Sequence, residues 1–337
     1  MFVPYLIDKL TVITTPHYGH FYLKRFLLYY QQYNNPVKLL ILDSSPEEFT
    51  DNLETCDYFK FDHRIRFEEK LYLGLSRIET PYAAICSDDD FLIPAGLQEA
   101  VAFLEANSDY ALAQGKTFSF YMRNGRQFRV CHSQVGHSIE DDSALSRTLR
   151  HLRDYYVTFS AVHRTNVLKY IWEEALSNTY DYRLGELLAS LLSLSAGKLK
   201  SFDRLFCARR YSHTSTGQTM DNNPKARVTR NNYERFKLCL KEHLLVKGKG
   251  QMDNLDNLID RAMEYYLGRP LWRYFLSNMP VIPPMFRKLK RRFMRFPEIV
   301  SEDTEEFENK LSPEEKNDFL AIKKLVEEYS RMNQCQD

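Results

Sequence analysis

Short β-branched or apolar runs alternate along this chain with longer stretches whose apolar residues recur at helical spacing. Residues 10–15, LTVITT, predict a strand, and residues 21–33, FYLKRFLLYYQQY, a helix with basic residues between its apolar positions. A second strand is expected over 37–42, VKLLIL, stopping at Asp43-Ser44-Ser45. Residues 67–78 predict a second helix, and 82–86 a buried strand that runs into Asp88-Asp89-Asp90. Helix is expected again from Pro94 to Ala106, since proline suits a first helical turn. A strand-like ALAQGKTFSFYM follows at 111–122, and residues 116–165 as a whole read as mixed strand and loop. Residues 184–196, LGELLASLLSLSA, predict an apolar helix with Glu186 in its first turn and Gly197 as its stop. From about residue 222 the pattern turns helical and more charged.

Strand, helix, strand, helix, strand is the doubly wound α/β order, with a parallel sheet and right-handed crossovers. Ligands of such sheets sit outside the carboxyl ends of the strands. Thr15, Asp43 and Asp88–Asp90 all fall on that edge. A domain boundary is expected near residue 220, with a catalytic unit over 1–220 and a helical region over 221–337.

Bulk composition narrows the classes. A chain of 337 residues can bury a full core. Its 46 Lys and Arg against 45 Asp and Glu leave +1, so the basic excess that nucleic-acid binding draws on is missing, and no nucleic-acid partner is expected. With 22 Tyr and 22 Phe, aromatic faces suited to base or sugar stacking are plentiful, though most belong in a core. Six scattered cysteines (56, 86, 131, 207, 239, 335) without a C-x-x-C pair suit a reducing, cytoplasmic setting. The N-terminus lacks a signal-peptide pattern, and no stretch approaches the ~20 apolar residues of a membrane span.

The three aspartates are the densest chemical signal. In extended chain Asp88 and Asp90 point together and Asp89 points away. Carboxylates crowded at the end of a buried strand repel one another and lose hydration, and a cation relieves both penalties. Two hard-oxygen donors at a strand end suit Mg2+ or Mn2+ and leave room for substrate phosphates. The bland alternative is a solvated acidic turn. Arg209, Arg210 and Lys70 are candidate phosphate clamps, with bidentate geometry favouring the arginines and a solvated surface charge as the default for each.

Farther on, Phe286, Leu289, Phe293 and Phe296 recur at helical spacing among Arg287, Lys288, Lys290, Arg291, Arg292 and Arg295. A basic helix over 286–296 suits peripheral contact with an anionic membrane, or equally docking on the body by its aromatic face. The acidic stretch 302–308 is another partner for it. Ser312-Pro313-Glu314-Glu315 has the form of a helix start. Dinucleotide, P-loop, nucleophile-elbow and H-E-x-x-H motifs are absent.

Four segments carry a resemblance: TVITTPHYGHFYLKRFLLYY, LLILDSS, TPYAAICSDDDFLIPAGL and, more weakly, GELLASLLSLSAGK. With them the first 215 or so residues resemble the GT-A-fold, family-2-like bacterial glycosyltransferases of the D-x-D type. That resemblance implies a GT-A-like (Rossmann-like) α/β fold, with a mixed, mostly parallel sheet flanked by helices and a helical C-terminal extension. It implies that Thr15 and Pro16 cradle a nucleotide base and that Asp43 contacts base or ribose. Asp88 would face ribose or metal, Asp90 would bind the metal bridging the donor diphosphate, and Asp89 lies between them. Glu186 matches the general base of inverting members, with Asp181 as its nearest rival, and His213 matches a third metal ligand in some. His163-Arg164 faces the acceptor by position only. The chain departs from the pattern with Pro-His-Tyr-Gly in the first loop, and with Gly-Glu-Leu where a Glu-Asp pair is usual.

The expected activity is Mn2+- or Mg2+-dependent, inverting transfer of a sugar from a nucleoside-diphosphate-sugar donor. The expected acceptor is a hydroxyl of a glycan or lipid-linked molecule, in cell-surface polysaccharide synthesis at the inner membrane face. One rival is a nucleotidyltransferase of related fold, although TTPHYGHF offers no Gly-rich basic loop. Another is a non-catalytic nucleotide-sugar or glycan-binding module.

Overall fold

The computed structural model describes residues 6–34, 36–51, 53, 55–212, 230–248, 254–268, 270–271 and 303–333. Its elements begin with β1 (Leu10–Thr14), α1 (Phe21–Gln32), β2 (Lys38–Asp43), β3 (Cys56–Lys60), α2 (Phe67–Leu75), β4 (Tyr82–Ile85), β5 (Phe91–Leu92) and α3 (Pro94–Ala106). There follow β6 (Tyr110–Arg123), β7 (Gln127–Gln134), α4 (Ala144–Arg153), β8 (Val162–Arg164), α5 (Thr165–Asn178), α6 (Tyr182–Ala196) and β9 (Lys198–Arg210). The described helices after these are α7 (Arg230–Gly248), α8 (Leu255–Leu267), α9 (Thr304–Asn309) and α10 (Pro313–Met332).

One sheet takes the order β3-β2-β1-β4-β8-β6-β9-β5, with β7 paired to β6. The run β3-β2-β1-β4 is parallel, β8 is antiparallel to both neighbours, β6 and β9 are parallel, and β5 closes antiparallel on β9. All five residues of β1 are buried because helices cover both faces of the sheet, which is why that strand reads as a continuous apolar run. Alternation sends Val12 and Ile13 to opposite faces, where each joins a different core. The first core gathers Phe26, Tyr30, Leu97, Phe118, Phe128 and Phe319. The second gathers Leu71, Trp172, Leu188, Phe236 and Ile259.

The early strands and helices stand within a few residues of their expected positions. Gly96 explains part of the motif after the aspartates. A Cβ there would meet the Leu205 carbonyl oxygen at 2.6 Å, so glycine lets α3 lie directly on β9.

Three corrections concern the middle of the chain. The stretch expected as strand and loop contains α4, whose buried face mixes Ala144 and Leu152 with Arg147, Thr148 and His151. Arg147 donates to the carbonyls of Leu194, Asp141 and Asp142, and buried His151 meets Ser190 Oγ at 2.8 Å. Leu145, Leu149 and Leu152 keep helical spacing against the second core, but the polar residues among them masked the pattern. α5 was also unforeseen, although Leu168, Ile171, Trp172 and Ala175 hold helical spacing. Finally, α6 begins at Tyr182 with Asp181 as its N-cap, which puts Glu186 in the second turn rather than the first.

The later helices complete both cores. Tyr233, Phe236, Leu240 and Ile259 of α7 and α8 enter the second, and Phe307, Phe319, Ile322 and Val326 of α9 and α10 enter the first. α9 and α10 also satisfy strand amides that point away from their ladders. Val130 N donates to Thr304 Oγ1 (3.1 Å), Phe128 N to Glu327 Oε1 (3.2 Å), and Leu205 N to Glu315 Oε1 (2.9 Å). Covering a sheet edge in this way removes a site for unwanted strand pairing. The Ser312 start is a full capping box with Glu315. Residues 286–296 lie outside the described residues, and no described helix is long and apolar enough to cross a membrane.

Candidate active site

The aspartates sit between the end of β4 and β5, and their neighbours follow from strand register. β5 pairs with β9 as Phe91↔Ala208 and Leu92↔Cys207. Extending that ladder by one and two residues sets Asp90 opposite Arg209 and Asp89 opposite Arg210. Arg210 N donates to Asp90 Oδ1 at 2.7 Å, and Arg209 Nε lies 3.8 Å from Asp90 Oδ2. Arg210 Nη1 lies 3.7 Å from Asp89 Oδ2, with its guanidinium over the Tyr22 ring. A third arginine came with no expectation. Arg25 of α1 is fully buried, donates to the Asp89 carbonyl at 2.7 Å and packs over Tyr22 and Phe91.

Asp90 is 5% exposed, while Asp88 and Asp89 are half-buried, so the solvated-turn alternative does not describe this cluster. Burial, then the charge of Asp89, pushes both Asp88 and Asp90 well above the ordinary carboxylate range. Arg25 and Lys70 pull Asp88 back, and Arg209 with the Arg210 amide pulls Asp90 back. Among the described residues, no basic side chain lies within 4.0 Å of the Asp88 carboxylate.

At the ends of β1 and β2 lies a second polar group. Lys70 is 2% exposed and donates to Ser44 Oγ (2.8 Å), Pro16 O (3.1 Å) and Thr15 O (3.3 Å). It is neither the solvated charge of the default reading nor a free phosphate clamp, because it ties the two strand ends together. Burial lowers its pKa to about 8. Asp43 has no exposed surface. Its Oδ2 accepts from Tyr58 (2.8 Å) and meets His20 Nε2 (2.9 Å), and its Oδ1 accepts from Ser45 N (2.7 Å). Burial alone would raise its pKa, but the bonds from Ser45, Tyr58 and His20 prevail and hold it low. Asp43 therefore ties His20, Ser45 and Tyr58 together at the end of β2.

Beside it, the His17 and His63 rings stack at 4.4 Å, with Tyr18 set edge-on and 79% exposed. This aromatic group escaped sequence reasoning because His63 lies far along the chain from the first loop. Gly19, at φ +133°, occupies backbone space that favours glycine, the local reason this loop ends in Gly.

Glu186 projects from α6 beside Tyr155 and Tyr182. Burial raises its pKa, while Arg209 and a hydrogen bond from Tyr182 act against that rise. It lines a small cavity with Phe159, His163, Trp172 and Ser190, and Arg209 lines another with Gln114, Thr117, Gln134 and Ser160. Asp181 is placed otherwise. Its Oδ1 accepts from Arg183 N (3.0 Å) and Leu184 N (3.2 Å), so the rival base is a helix cap. Arg164 is structural, donating to the carbonyls of Leu104, Asn107 and Tyr110, whereas buried His163 reaches Ser193 Oγ at 3.2 Å on the cavity wall. His213 lies outside the described residues.

No protein-family model and no curated protein matches this sequence. Solved structures do match. S. aureus TarS 1–349 in complex with UDP-GlcNAc aligns at TM-score 0.56 and 14% identity over 96% of this chain and 92% of that one. The same TarS segment in complex with UDP aligns at TM-score 0.52 and 14% identity over 98% and 93%. The likeness is one of fold, and the fold is the GT-A arrangement expected from the resemblance.

Proposed function

We propose that this chain is a nucleotide-sugar-dependent glycosyltransferase, moving a sugar to a hydroxyl of a glycan or lipid-linked acceptor with inversion. One observation carries the reading. Arg209 Nε lies 3.8 Å from Asp90 Oδ2 and its charge also reaches Glu186, so the carboxylate assigned to the diphosphate and the one assigned to the acceptor share the field of one guanidinium near the end of β9. The fold-level likeness to a protein crystallised with UDP and UDP-GlcNAc supports the same donor class.

In this reading the nucleoside lies against the His17, Tyr18 and His63 group, near the Thr15 and Pro16 backbone that Lys70 holds. Arg209 and Arg210 face the diphosphate, and their planar guanidinium groups suit its oxygens. Asp88 and Asp90 fit a hard divalent cation: both are raised by burial and by the charge of Asp89, and among the described residues Asp88 has no basic side chain within 4.0 Å. A Mg2+ or Mn2+ ion held there would neutralise charge on the departing diphosphate. Glu186 takes the proton of the attacking hydroxyl, and its raised pKa brings it nearer the working pH of a general base. The catalytic unit corresponds to 1–220. Assignment to cell-surface polysaccharide synthesis, a cytoplasmic location and membrane contact through 286–296 belong to the same proposal.

A metal-independent variant is the second reading. Arg25, Arg209, Arg210 and Lys70 already surround the three carboxylates with positive charge. The deciding experiment is a thermal-shift panel of UDP-, GDP-, CDP- and dTDP-sugars with and without Mn2+, followed by turnover in EDTA. A donor that stabilises the protein only with Mn2+ supports the cation site, because a bound ligand raises the melting temperature by mass action. Full turnover in EDTA assigns neutralisation to the arginines. No stabilisation by any donor rejects the donor class. For the base, Glu186→Gln is expected to lower transfer at least ~100-fold with donor binding kept. Asp181→Asn should cost about 1 kcal/mol of stability with kcat kept.

A further inference from the structure

On the far side of α6, α5 and α7 bring together a group that the glycosyltransfer reading does not use. α7 carries Cys239 and His243 one turn apart, and α5 carries Tyr170, Glu174 and Asn178 at the same interval. Cys239 Sγ lies 3.4 Å from Glu174 Oε2 and 3.7 Å from His243 Nδ1. Of the described His, Cys, Asp and Glu residues, only these three bring their ligand atoms together within 4.8 Å.

We propose that Glu174, Cys239 and His243 bind a zinc ion that clamps α7 onto α5. Zinc bonded to sulfur at ~2.3 Å and to nitrogen or oxygen at ~2.0–2.1 Å in tetrahedral geometry holds its ligand atoms about 3.3–3.6 Å apart. The two sulfur separations match that spacing within a few tenths of an ångström. Sulfur, imidazole and carboxylate are together a borderline-soft set that suits zinc and not Mg2+ or Ca2+. The surroundings orient each donor. Asn178 Nδ2 donates to Glu174 Oε2 at 3.0 Å, and the Tyr170 hydroxyl meets His243 Nε2. Such outer contacts fix the tautomer and rotamer of metal ligands. Cys239 is buried, while Glu174 and His243 are half-buried and Tyr170 is 43% exposed, which leaves an entry from solvent.

Binding has a definite proton balance. In the metal-free protein, burial and then the Glu174 charge keep Cys239 protonated, and His243 Nδ1 faces the Cys239 carbonyl at 2.7 Å. On binding, the Cys239 thiol loses its proton to solvent. Nδ1, which carries the proton of the neutral ring where it faces the carbonyl, gives it up as it turns to the ion. That proton passes through solvent to Nε2, where the Tyr170 oxygen accepts its hydrogen bond, so the net release is the thiol proton alone. Zinc affinity therefore falls as pH falls.

The test uses the full-length, metal-free protein titrated with Co2+, a spectroscopic stand-in for zinc. One equivalent should produce a thiolate-to-cobalt charge-transfer band, and one equivalent of Zn2+ should abolish it and raise the melting temperature. Cys239→Ser removes the band, Glu174→Gln and His243→Asn each weaken zinc at least tenfold, and Asn178→Ala weakens it about tenfold. Cys335→Ser and Cys56→Ser leave it unchanged. Absence of the band, or its survival in Cys239→Ser, overturns the site. Should Cys239→Ser fail to fold by circular dichroism, Glu174→Gln and His243→Asn decide, and unchanged affinity in both sinks the proposal. Transferase activity plays no part in these readouts.

Discussion

Glu186 holds its proton to higher pH than an ordinary glutamate because the wall of α6 excludes water, and Arg209 with the Tyr182 hydroxyl only partly offsets this. In its proposed role as general base it works deprotonated, so activity should be lost as pH falls through that raised pKa. The acid limb of kcat/KM should therefore lie above the ~4.3 of a free glutamate. Tyr182→Phe removes a bond that favours the carboxylate, and should move the limb to higher pH by about half to one pH unit, read from a pH–rate profile. Lys70 gives a stability counterpart with the opposite requirement. Its folded pKa of about 8 lies below the 10.5 of the unfolded chain, so between those values the unfolded state binds more protons and stability rises with pH. In Lys70→Met that rise should shrink relative to the parent, as denaturant melts across pH 7.5–10.5 would show. The aspartates and Arg209–Arg210 were legible as chemistry, since like charges at an apolar strand end need counter-charge. Arg25 was not, because a lone Arg in an amphipathic helix looks like any solvated face.

At the scale of elements, caps and close approaches account for where segments start and what they touch. Gly96→Ala should destabilise by about 1–3 kcal/mol in a denaturant melt, because the new methyl meets backbone rather than a movable side chain. β1, β2, β4, α1 and α3 were readable because each keeps one periodicity over its whole length. α4 escaped because Arg147, Thr148 and His151 interrupt its buried face beside Ala144 and Leu152, and their burial depends on partners that arrive from elsewhere in the chain. The register of β5 on β9 was also invisible in sequence, yet it sets arginine opposite aspartate. A slip of one residue would place Asp89, not Asp90, beside Arg209.

At the scale of the whole molecule, the two cores on the two faces of one sheet are closed by helices from the C-terminal third. Phe319 shows the dependence. It is fully buried, with its ring centre 5.5 Å from Phe118 and 5.8 Å from Phe128. Phe319→Ala should cost about 3–5 kcal/mol, measured by chemical denaturation, with a single transition retained. Deleting 303–333 should lower the melting temperature further and promote association, since β7 then exposes the amides of Phe128 and Val130. By itself the sequence determined what is local: alternating periodicities that call for an α/β sheet, and acidic and basic groups gathered at its strand ends. Which carboxylate lines a cavity, which caps a helix, and which arginine meets Asp90 were decided only in three dimensions. A side chain's chemistry travels with its residue, but its solvation and its partners come from segments that meet only when the chain is folded.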